Sequence, residues 1–307
     1  MSKGPDANAR SRESVTSSGT IGAAIERIGT KFLANLRDDL AGESVVWPSI
    51  PSVVVRVRDT IRDPNSSVDD ICAAISSDPA VASRVVAMAN SVLYIGMRPC
   101  DTLRDAIVRL GGDVLNHVVM VLVVARVFSV GQRRRIQRHL VGLWRHSNQV
   151  AALSERIAAD HAKLRRDVAL LAGLVHDVGK IPLLVQAERL PSVMGNAALL
   201  DALLTRFHGQ AGHLVLDSWR FPSEITLASV GHESWQQVRQ GPVDYVDVVT
   251  VANLLSHCDH DDPYALVPIA KIPAARRLDL GPERLATVVE EAAERAAELL
   301  AVATGKA

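Results

Sequence analysis

Apolar residues recur every three or four positions along most of the 307-residue chain, which is the spacing of one face of an α-helix. The two-residue alternation of a half-buried β-strand is nearly absent. We therefore predict an all-α fold, in the form of a compact multi-helix bundle. The predicted helices span residues 21–40, 51–62, 68–77, 79–90, 103–110, 112–128, 136–160, 166–177, 197–207, 210–218, 222–233, 243–257 and 282–302.

Polar residues mark where two of these helices begin. Ser67 and Asp70 have the spacing of a capping box, in which each side chain accepts a hydrogen bond from the other residue's backbone N–H. Asp78 precedes Pro79, and proline is favoured in the first turn because its missing N–H would have no helical partner there. These motifs predict helices that begin near residues 68 and 79.

Neither the N-terminal segment nor the apolar interior predicts a membrane segment. Residues 1–20 are rich in Ser, Gly, Asn and Arg and lack the apolar stretch of a secretory signal. Their composition predicts a disordered tail, followed by an N-terminal helix within residues 21–42. The longest apolar run, Val114 to Val130, is interrupted by polar residues and is shorter than the roughly 20 residues that cross a bilayer. We interpret it as a buried core helix.

Composition and charge exclude several classes of partner. With 48% hydrophobic and 22% charged residues, the chain can bury a substantial core. Lys and Arg together number 34, as do Asp and Glu, so no net charge draws the chain to nucleic acid or to an anionic membrane. Cys72, Cys100 and Cys258 lack metal-binding spacing. We interpret them as buried or incidental thiols of a protein in a reducing cytoplasm.

The adjacent pair His176 and Asp177 lies in an apolar segment and is the strongest candidate for chemistry. An imidazole and a carboxylate are costly to bury unless a partner such as a metal ion engages them. Neighbouring helical side chains point about 100° apart, so both could reach one ion held between helices. Lys180 could meet an anionic substrate such as a phosphate. The alternative is a helix end with solvated Asp and Lys side chains.

Three other histidines are candidate ligands. His146 lies on a long predicted helix whose apolar positions suit packing against the His176 segment. His208 begins the stretch after the predicted helix 197–207, and His232 lies at the end of the predicted helix 222–233. Taken singly, each is more often a core or surface histidine than a ligand. The polar run from His257 to Asp262 is interpreted as a helix end and loop before Pro263.

Taken in order, His146, His176-Asp177 and Lys180 resemble the helical HD superfamily of metal-dependent phosphohydrolases, and the wider pattern is similar to its HDOD branch, the HD-related output domain. The matching motifs are Pro48–Pro51, Asp78–Ala80, Ala89–Tyr94, Ala106–Gly111, Leu143–Ser147, Ala172–Lys180, His208 with Gly212, and Trp219–Pro222. The resemblance implies an HDOD domain over residues 43–240, with an N-terminal helical half at 43–135 and an HD-like half at 136–240. Residues 241–307 would form a C-terminal helical extension.

In catalytic HD proteins, a histidine, the His-Asp pair and a distant aspartate hold a divalent ion that activates water. The resemblance assigns the first three places to His146, His176 and Asp177. Asn253 stands where the enzymes carry the aspartate, and a neutral amide is a poorer ligand for a hard cation. Asp247, 253 − 247 = 6 residues earlier, would point about 240° away around a helix and cannot easily replace it.

The HD-GYP branch, which hydrolyses cyclic di-GMP, has extra histidine ligands at positions similar to His208 and His232. Its paired His-His is Gly231-His232-Glu233 in this chain, and its Gly-Tyr-Pro motif is missing from residues 234–244. The resemblance thus implies a metal site of His146, His176, Asp177, His208, His232 and, in place of the expected aspartate, Asn253. Mn, Fe or Mg could occupy this site, or no metal at all, and Asp177 and Lys180 would be catalytic only in an active enzyme.

These features favour a cytoplasmic bacterial signal-transduction or regulatory protein that acts through ligand or partner contacts. The alternative is a metal-dependent phosphohydrolase acting on a nucleotide or other phosphoester, and a third interpretation is a scaffold with an empty site. The expected partner is an unidentified signalling protein or a small phosphorylated ligand, with a homo-oligomer left open. Neither a membrane nor nucleic acid is an expected partner.

Overall fold

The computed structural model describes residues 7–42, 52–90, 98–128, 133–257 and 267–304, and these residues form helices with no strand among them. The all-α prediction is therefore confirmed. The helices are α1 (Ala7–Ala41), α2 (Ser52–Arg62), α3 (Val68–Ser76), α4 (Pro79–Ala89), α5 (Leu103–Phe128), α6 (Gln137–Ala158), α7 (Arg166–Val175), α8 (Lys180–Ala187), α9 (Pro191–Met194), α10 (Ala197–Ser218), α11 (Ser223–Gly231), α12 (Tyr245–Ser256), α13 (Pro273–Arg277) and α14 (Pro282–Thr304), with a short 3-10 helix at Ile269–Lys271.

Helices α7 and α12 form the centre of the core. Every residue of α12 is buried, as is every residue of α7 from Val168 to Val175. Helix α6 lies along both of them, and α11 packs against both from another side. Helix α10 packs against α8 and α11, while α14 covers α6. The central helices are therefore buried on all sides, as expected of helices enclosed by others.

The N-terminal half is a cluster of short helices that packs against this core. Helices α2 to α5 contact one another, and α5 also packs on α6 and α7. The buried guanidinium of Arg58 in α2 donates a hydrogen bond of 2.8 Å to the carbonyl of Trp219, at the end of α10. Helix α5 has a kink at Gly111, where φ is +71°, a conformation that glycine adopts without a steric penalty. The kink agrees with the two predicted segments, 103–110 and 112–128.

Both predicted helix starts carry the expected caps. The Ser67 hydroxyl accepts a hydrogen bond from the Asp70 N–H at 3.2 Å, and the Asp70 carboxylate accepts one from the Ser67 N–H at 2.8 Å. The Asp78 carboxylate accepts a hydrogen bond from the N–H of Val81 at 3.2 Å, in the first turn of α4. Local sequence therefore determines these two boundaries.

Several predicted boundaries are wrong. Helix α1 begins at Ala7, so residues 7–20 are helical where a disordered tail was predicted. Its later part packs on α10, where Gly29 lies against the ring of Phe207, and extending an anchored helix costs less than starting one. The segments 197–207 and 210–218 are one helix, α10, because a glycine at 209 weakens a helix without ending it.

Three short helices, α8, α9 and α13, were not predicted, and α7 ends at Val175 rather than at residue 177. In α8, all residues from Ile181 to Ala187 are buried. Such a helix has no polar face, so its sequence lacks the amphipathic period on which the prediction relied.

Within the described part of the chain, one helical stretch, Arg166–Ala187, is long and apolar enough to cross a membrane. It is 94% buried inside the fold. Packing in the protein core therefore accounts for its apolar sequence. In the run predicted to be the core helix, Val114 to Val130, the structure has α5 with Leu115, Val118 and Val119 buried. Of the three cysteines, Cys100 is buried, Cys72 is half-buried and Cys258 lies outside the described residues.

Candidate metal centre

Four histidines from four different helical segments meet at the carboxylate of Asp177. His146 comes from the middle of α6, His176 caps the C-terminal end of α7, and Asp177 follows in the turn before α8. His208 lies within α10, and His232 directly follows α11. The structure thus brings together five of the six predicted ligands, and their role in binding metal stays a prediction.

The two carboxylate oxygens of Asp177 face two different pairs of histidines. Oδ2 lies 3.5 Å from His146 Nε2 and 3.4 Å from His176 Nε2, and the two Nε2 atoms are 3.1 Å apart. Oδ1 lies 3.4 Å from His208 Nε2 and 3.8 Å from His232 Nε2, and this second pair of Nε2 atoms is 3.3 Å apart. We call His146, His176 and Asp177 the first donor set, and His208, His232 and Asp177 the second donor set. Asp177 belongs to both.

Backbone carbonyls determine which ring nitrogen faces the centre in three of the histidines. His176 Nδ1 is 2.7 Å from the carbonyl of Gly173. His208 Nδ1 is 2.9 Å from the carbonyl of Leu204, and His232 Nδ1 is 3.0 Å from that of Ser229. A carbonyl only accepts hydrogen bonds, so each Nδ1 carries a proton and Nε2 is the ring nitrogen that faces the centre. The same arrangement orients histidines that bind metals through Nε2.

Acceptor atoms face one another in the second donor set. His208 Nε2 and Asp177 Oδ1 lie 3.4 Å apart, and Oδ1 is buried without a hydrogen-bond partner. A buried polar atom without a partner costs free energy. A cation would convert this repulsion into coordination. Atoms bound to one ion at about 2.1 Å are about 3.0–3.4 Å apart, close to the separations in both sets, so the donors fit a divalent metal.

The charges of the buried histidines agree with this arrangement. Burial lowers the pKa of His146 to about 4, holds the pKa of His176 well below its ordinary value and lowers that of His208, despite the opposing effect of Asp177. These rings are therefore neutral at physiological pH. Neutral imidazole is the form that binds metal ions.

The carboxylates are ionised. Burial acts to raise the pKa of Asp177, but the Lys180 ammonium in direct contact with it holds that pKa well below its usual value. Burial likewise acts to raise the pKa of Glu233, but the hydrogen bond between its carboxylate and His232 lowers that pKa to about 2. Both groups can therefore act as anionic ligands.

Two glycines allow the turn that carries Asp177 to approach α10. A Cβ added to Gly179 would lie 2.0 Å from the carbonyl oxygen of His208 and 2.3 Å from the backbone nitrogen of Gly212. A Cβ on Gly212 would lie 2.4 Å from the hydroxyl of Ser229, which donates a hydrogen bond to the carbonyl of His176. Only glycine fits these contacts, which keep Asp177 near His208.

The sixth predicted ligand, Asn253, lies near this centre without a contact that ties it to the donor sets. It is buried in α12, and its side-chain oxygen has no hydrogen-bond partner. One turn later, the hydroxyl of Ser256 lies 3.3 Å from His146 Nδ1. The prediction that Asp247 cannot replace it agrees with the structure, because the buried Asp247 carboxylate pairs with Arg277 at 3.0 Å.

A cavity of about 410 Å³ opens onto the first donor set. Its lining includes His146, Asp177, Lys180, Arg145 and His257. Arg145, which precedes His146, was not among the predicted site residues, and His257 was predicted to lie at a helix end. His257 does follow α12, but its ring also lies 5.1 Å from that of His146. The rest of that polar run, residues 258–262, lies outside the described residues.

A helical bundle with a His-Asp pair at the end of one central helix and further histidines from the helices around it has the architecture of the HD-type helical proteins. The model of the HDOD domain matches residues 47–234, more than half of the chain. The chain belongs to the HDOD family. The predicted domain limits of 43 and 240 lie a few residues outside this match.

Comparisons with individual proteins agree with this fold. A crystal structure from Shewanella amazonensis, provisionally described as a metal-dependent phosphohydrolase, has a TM-score of 0.75 at 23% identity, over 90% of this chain and 99% of that one. A structure from Marinobacter aquaeolei, provisionally described as a signal transduction protein, has a TM-score of 0.60 at 21% identity, over 92% and 65%. An uncharacterized protein of Treponema pallidum is 23% identical over 78% of this chain, which spans about half (47%) of its length.

Proposed function

We propose that this chain is a cytoplasmic bacterial signal-transduction protein whose HDOD domain binds a small phosphorylated ligand beside a divalent metal. One observation carries the proposal: the cavity that contains His146 and Asp177 is also lined by the cationic side chains of Lys180 and Arg145. Arginine and lysine are the side chains that recognise phosphate groups. A change in ligand occupancy would then be passed to a signalling partner or to a second copy of the chain.

The metal would be held by the residues of the donor sets, and the ligand by the cavity. Lys180 already contacts Asp177, so its charge is partly balanced within the centre. Arg145 is exposed at the cavity wall and belongs to neither donor set. We therefore expect Arg145 to contribute more than Lys180 to the affinity for an anion.

The second candidate function is metal-dependent hydrolysis of a nucleotide or other phosphoester. The observation in its favour is that His146, His176 and Asp177 form one cluster of possible ligands, and that His146 and Asp177 line an open cavity. A bound divalent ion would supply an activated water molecule. The chain's own residues would hold that ion and orient the anion through Lys180 and Arg145. Asn253 weighs against turnover, since its amide brings no negative charge to the position at which HD enzymes carry an aspartate.

The test combines metal analysis with ligand binding. Elemental analysis of the purified chain should detect a divalent metal that is lost in His176→Ala. Isothermal titration with p-nitrophenyl phosphate in the presence of Mn²⁺ should detect binding, and Arg145→Gln should weaken it about tenfold, the value of one charge-assisted hydrogen bond. Arg138→Gln is the matched control, because Arg138 is exposed on the same helix and does not line the cavity.

Hydrolysis assays separate the two candidate functions. p-Nitrophenyl phosphate, bis(p-nitrophenyl) phosphate and cyclic nucleotides would be tested with Mn²⁺, Fe²⁺ or Mg²⁺. Binding without turnover above that of His176→Ala supports the regulatory function. Turnover that disappears in His176→Ala would replace it with the hydrolase. A wild-type chain that binds neither metal nor phosphate would refute both.

A further inference from the structure

The second donor set has a neighbour, Glu233, that was not among the predicted ligands, although it lies in the segment that matches the paired His-His of the HD-GYP branch. Glu233 follows His232 directly after α11, and its Oε1 lies 3.5 Å from His232 Nε2 and 3.8 Å from His208 Nε2. We propose that Glu233 is a ligand of a second divalent-metal ion, together with His208, His232 and Asp177. The proposal rests on the proposed function, in which the centre holds metal.

The spacing of Glu233 matches that of the other donors. Glu233 Oε1 lies 3.5 Å from His232 Nε2 and 3.8 Å from His208 Nε2, similar to the 3.8 and 3.4 Å at which Asp177 Oδ1 approaches the same two atoms. Glu233 and Asp177 thus contribute one oxygen each beside the same two Nε2 atoms. With Glu233 as a ligand, an ion between these two histidines would have two nitrogen and two oxygen donors, the number that a tetrahedral site takes.

Charge gives an independent reason to assign this role to Glu233. The single negative charge of Asp177 serves both donor sets, and its Oδ2 also pairs with the ammonium of Lys180. Without Glu233, an ion in the second set would have two neutral imidazoles and a share of one carboxylate. Glu233 adds a full negative charge. Two imidazoles with carboxylates are a ligand set suited to Fe²⁺ and Mn²⁺.

The second donor set also has its own opening. Glu233 and His208 line a cavity of about 820 Å³ formed with residues of α1, α10 and α11. This cavity shares no lining residue with the one that opens on His146 and Lys180. The side chain of Glu233 is 29% exposed, whereas His208 and His232 are almost fully buried. An ion could therefore enter the second set past Glu233, without passing through the first.

The experiment counts the ions bound to the full-length chain and reports whether they are adjacent. Chelated wild-type protein is loaded with Mn²⁺, freed of excess metal by gel filtration, and examined by elemental analysis and electron paramagnetic resonance. We expect about two ions per chain, with a spin-coupled spectrum because Asp177 is shared between them. Glu233→Gln keeps the volume and removes the charge, so it should weaken the second ion more than tenfold and leave the spectrum of an isolated Mn²⁺.

Two further variants control the experiment. Glu224→Gln makes the same charge change at an exposed position in the first turn of α11, and it should retain both ions. Glu233→His replaces the carboxylate with another ligand and should restore part of the coupled signal, which a merely structural role would not do. Circular dichroism establishes that each variant is folded.

The outcomes distinguish this proposal from the proposed function. If wild-type protein binds metal and Glu233→Gln binds the same number of ions with the same affinity and spectrum, Glu233 is not a ligand, while the metal site remains. If wild-type protein binds one ion that Glu233→Gln loses, the proposal of a second ion is overturned, and Glu233 is a ligand of a single-ion site. If wild-type protein binds no ion, the proposed function and this inference both fail.

Discussion

Gly179→Ala should destabilise the protein more than an ordinary change of one methyl group. Gly179 lies in the turn between α7 and α8, two residues after Asp177. Its new Cβ would lie 2.0 Å from the carbonyl oxygen of His208 and 2.3 Å from the nitrogen of Gly212. Both atoms belong to the backbone of α10, so no side chain can rotate away. The turn and α10 must separate by more than 1 Å to reach ordinary contact, which is about 3.4 Å or more.

Such overpacking in a close-packed core costs about 3 kcal/mol, the upper end of the usual range, because the backbone itself must move. For a chain of this length, that cost corresponds to a fall of about 5 °C in Tm. The same separation moves Asp177 away from His208, so metal bound by the second donor set should be lost as well. The assays are urea denaturation and thermal unfolding, each with and without chelator.

Gly142→Ala is the matched control. Gly142 lies in the interior of α6, and an added Cβ meets no atom within 4 Å. There, alanine should stabilise the helix by about 0.5–1 kcal/mol. Equal stability of Gly179→Ala and the wild type, with the metal content unchanged, would refute the argument that this contact positions Asp177.

Two further predictions concern buried charge. In the metal-free protein, His146 has a pKa of about 4, below its unfolded value of 6.5, so the unfolded chain binds more protons between these limits. Its contribution to stability is complete above pH 6.5 and falls by about 3 kcal/mol as the pH drops to 4. The free energy of unfolding, measured in chelator across this range, should depend less steeply on pH in His146→Asn, and an unchanged dependence would contradict the assignment. Arg277→Ala leaves the buried Asp247 carboxylate without its main cation, and it should lower the free energy of unfolding in urea by about 3–5 kcal/mol. The change Arg276→Ala, at an exposed position, should lower it by less than about 0.5 kcal/mol, and equal losses in the two variants would contradict the importance of the Arg277–Asp247 pair.

Most helices could be predicted because their signals are local. The reciprocal bonds of Ser67 and Asp70 depend on residues three positions apart, and the break at Gly111 depends on one residue. The missed helix α8 shows the limit of this approach. This helix is buried on all sides and has no polar face, a property that depends on neighbours distant in the chain. In α1 the error is that a helix was predicted to start too late. Residues 7–20 have a composition typical of disorder, but they are helical where they extend an anchored segment.

The candidate centre was only partly predictable for a similar reason. Residue type identified His176 and Asp177, and the family resemblance added His146, His208 and His232 in order. No sequence pattern reports which carbonyl meets each Nδ1, and these contacts determine that Nε2 faces the centre. Glu233 and Arg145 were missed because charged residues beside histidines are usually exposed to solvent.

The sequence by itself determined the helical class, most helix boundaries, the HDOD resemblance and the residues able to bind a metal, since all of these follow from residue type and from short-range spacing. Only the tertiary structure decided that Asp177 presents one oxygen to each pair of histidines, that Arg277 engages Asp247, and that Glu233 reaches the second pair. Apart from those between direct neighbours, these contacts join residues 25 to 55 positions apart, from Glu233 with His208 (233 − 208 = 25) to His232 with Asp177 (232 − 177 = 55). They depend on how α6, α7, α10 and α11 pack, which no local spacing specifies.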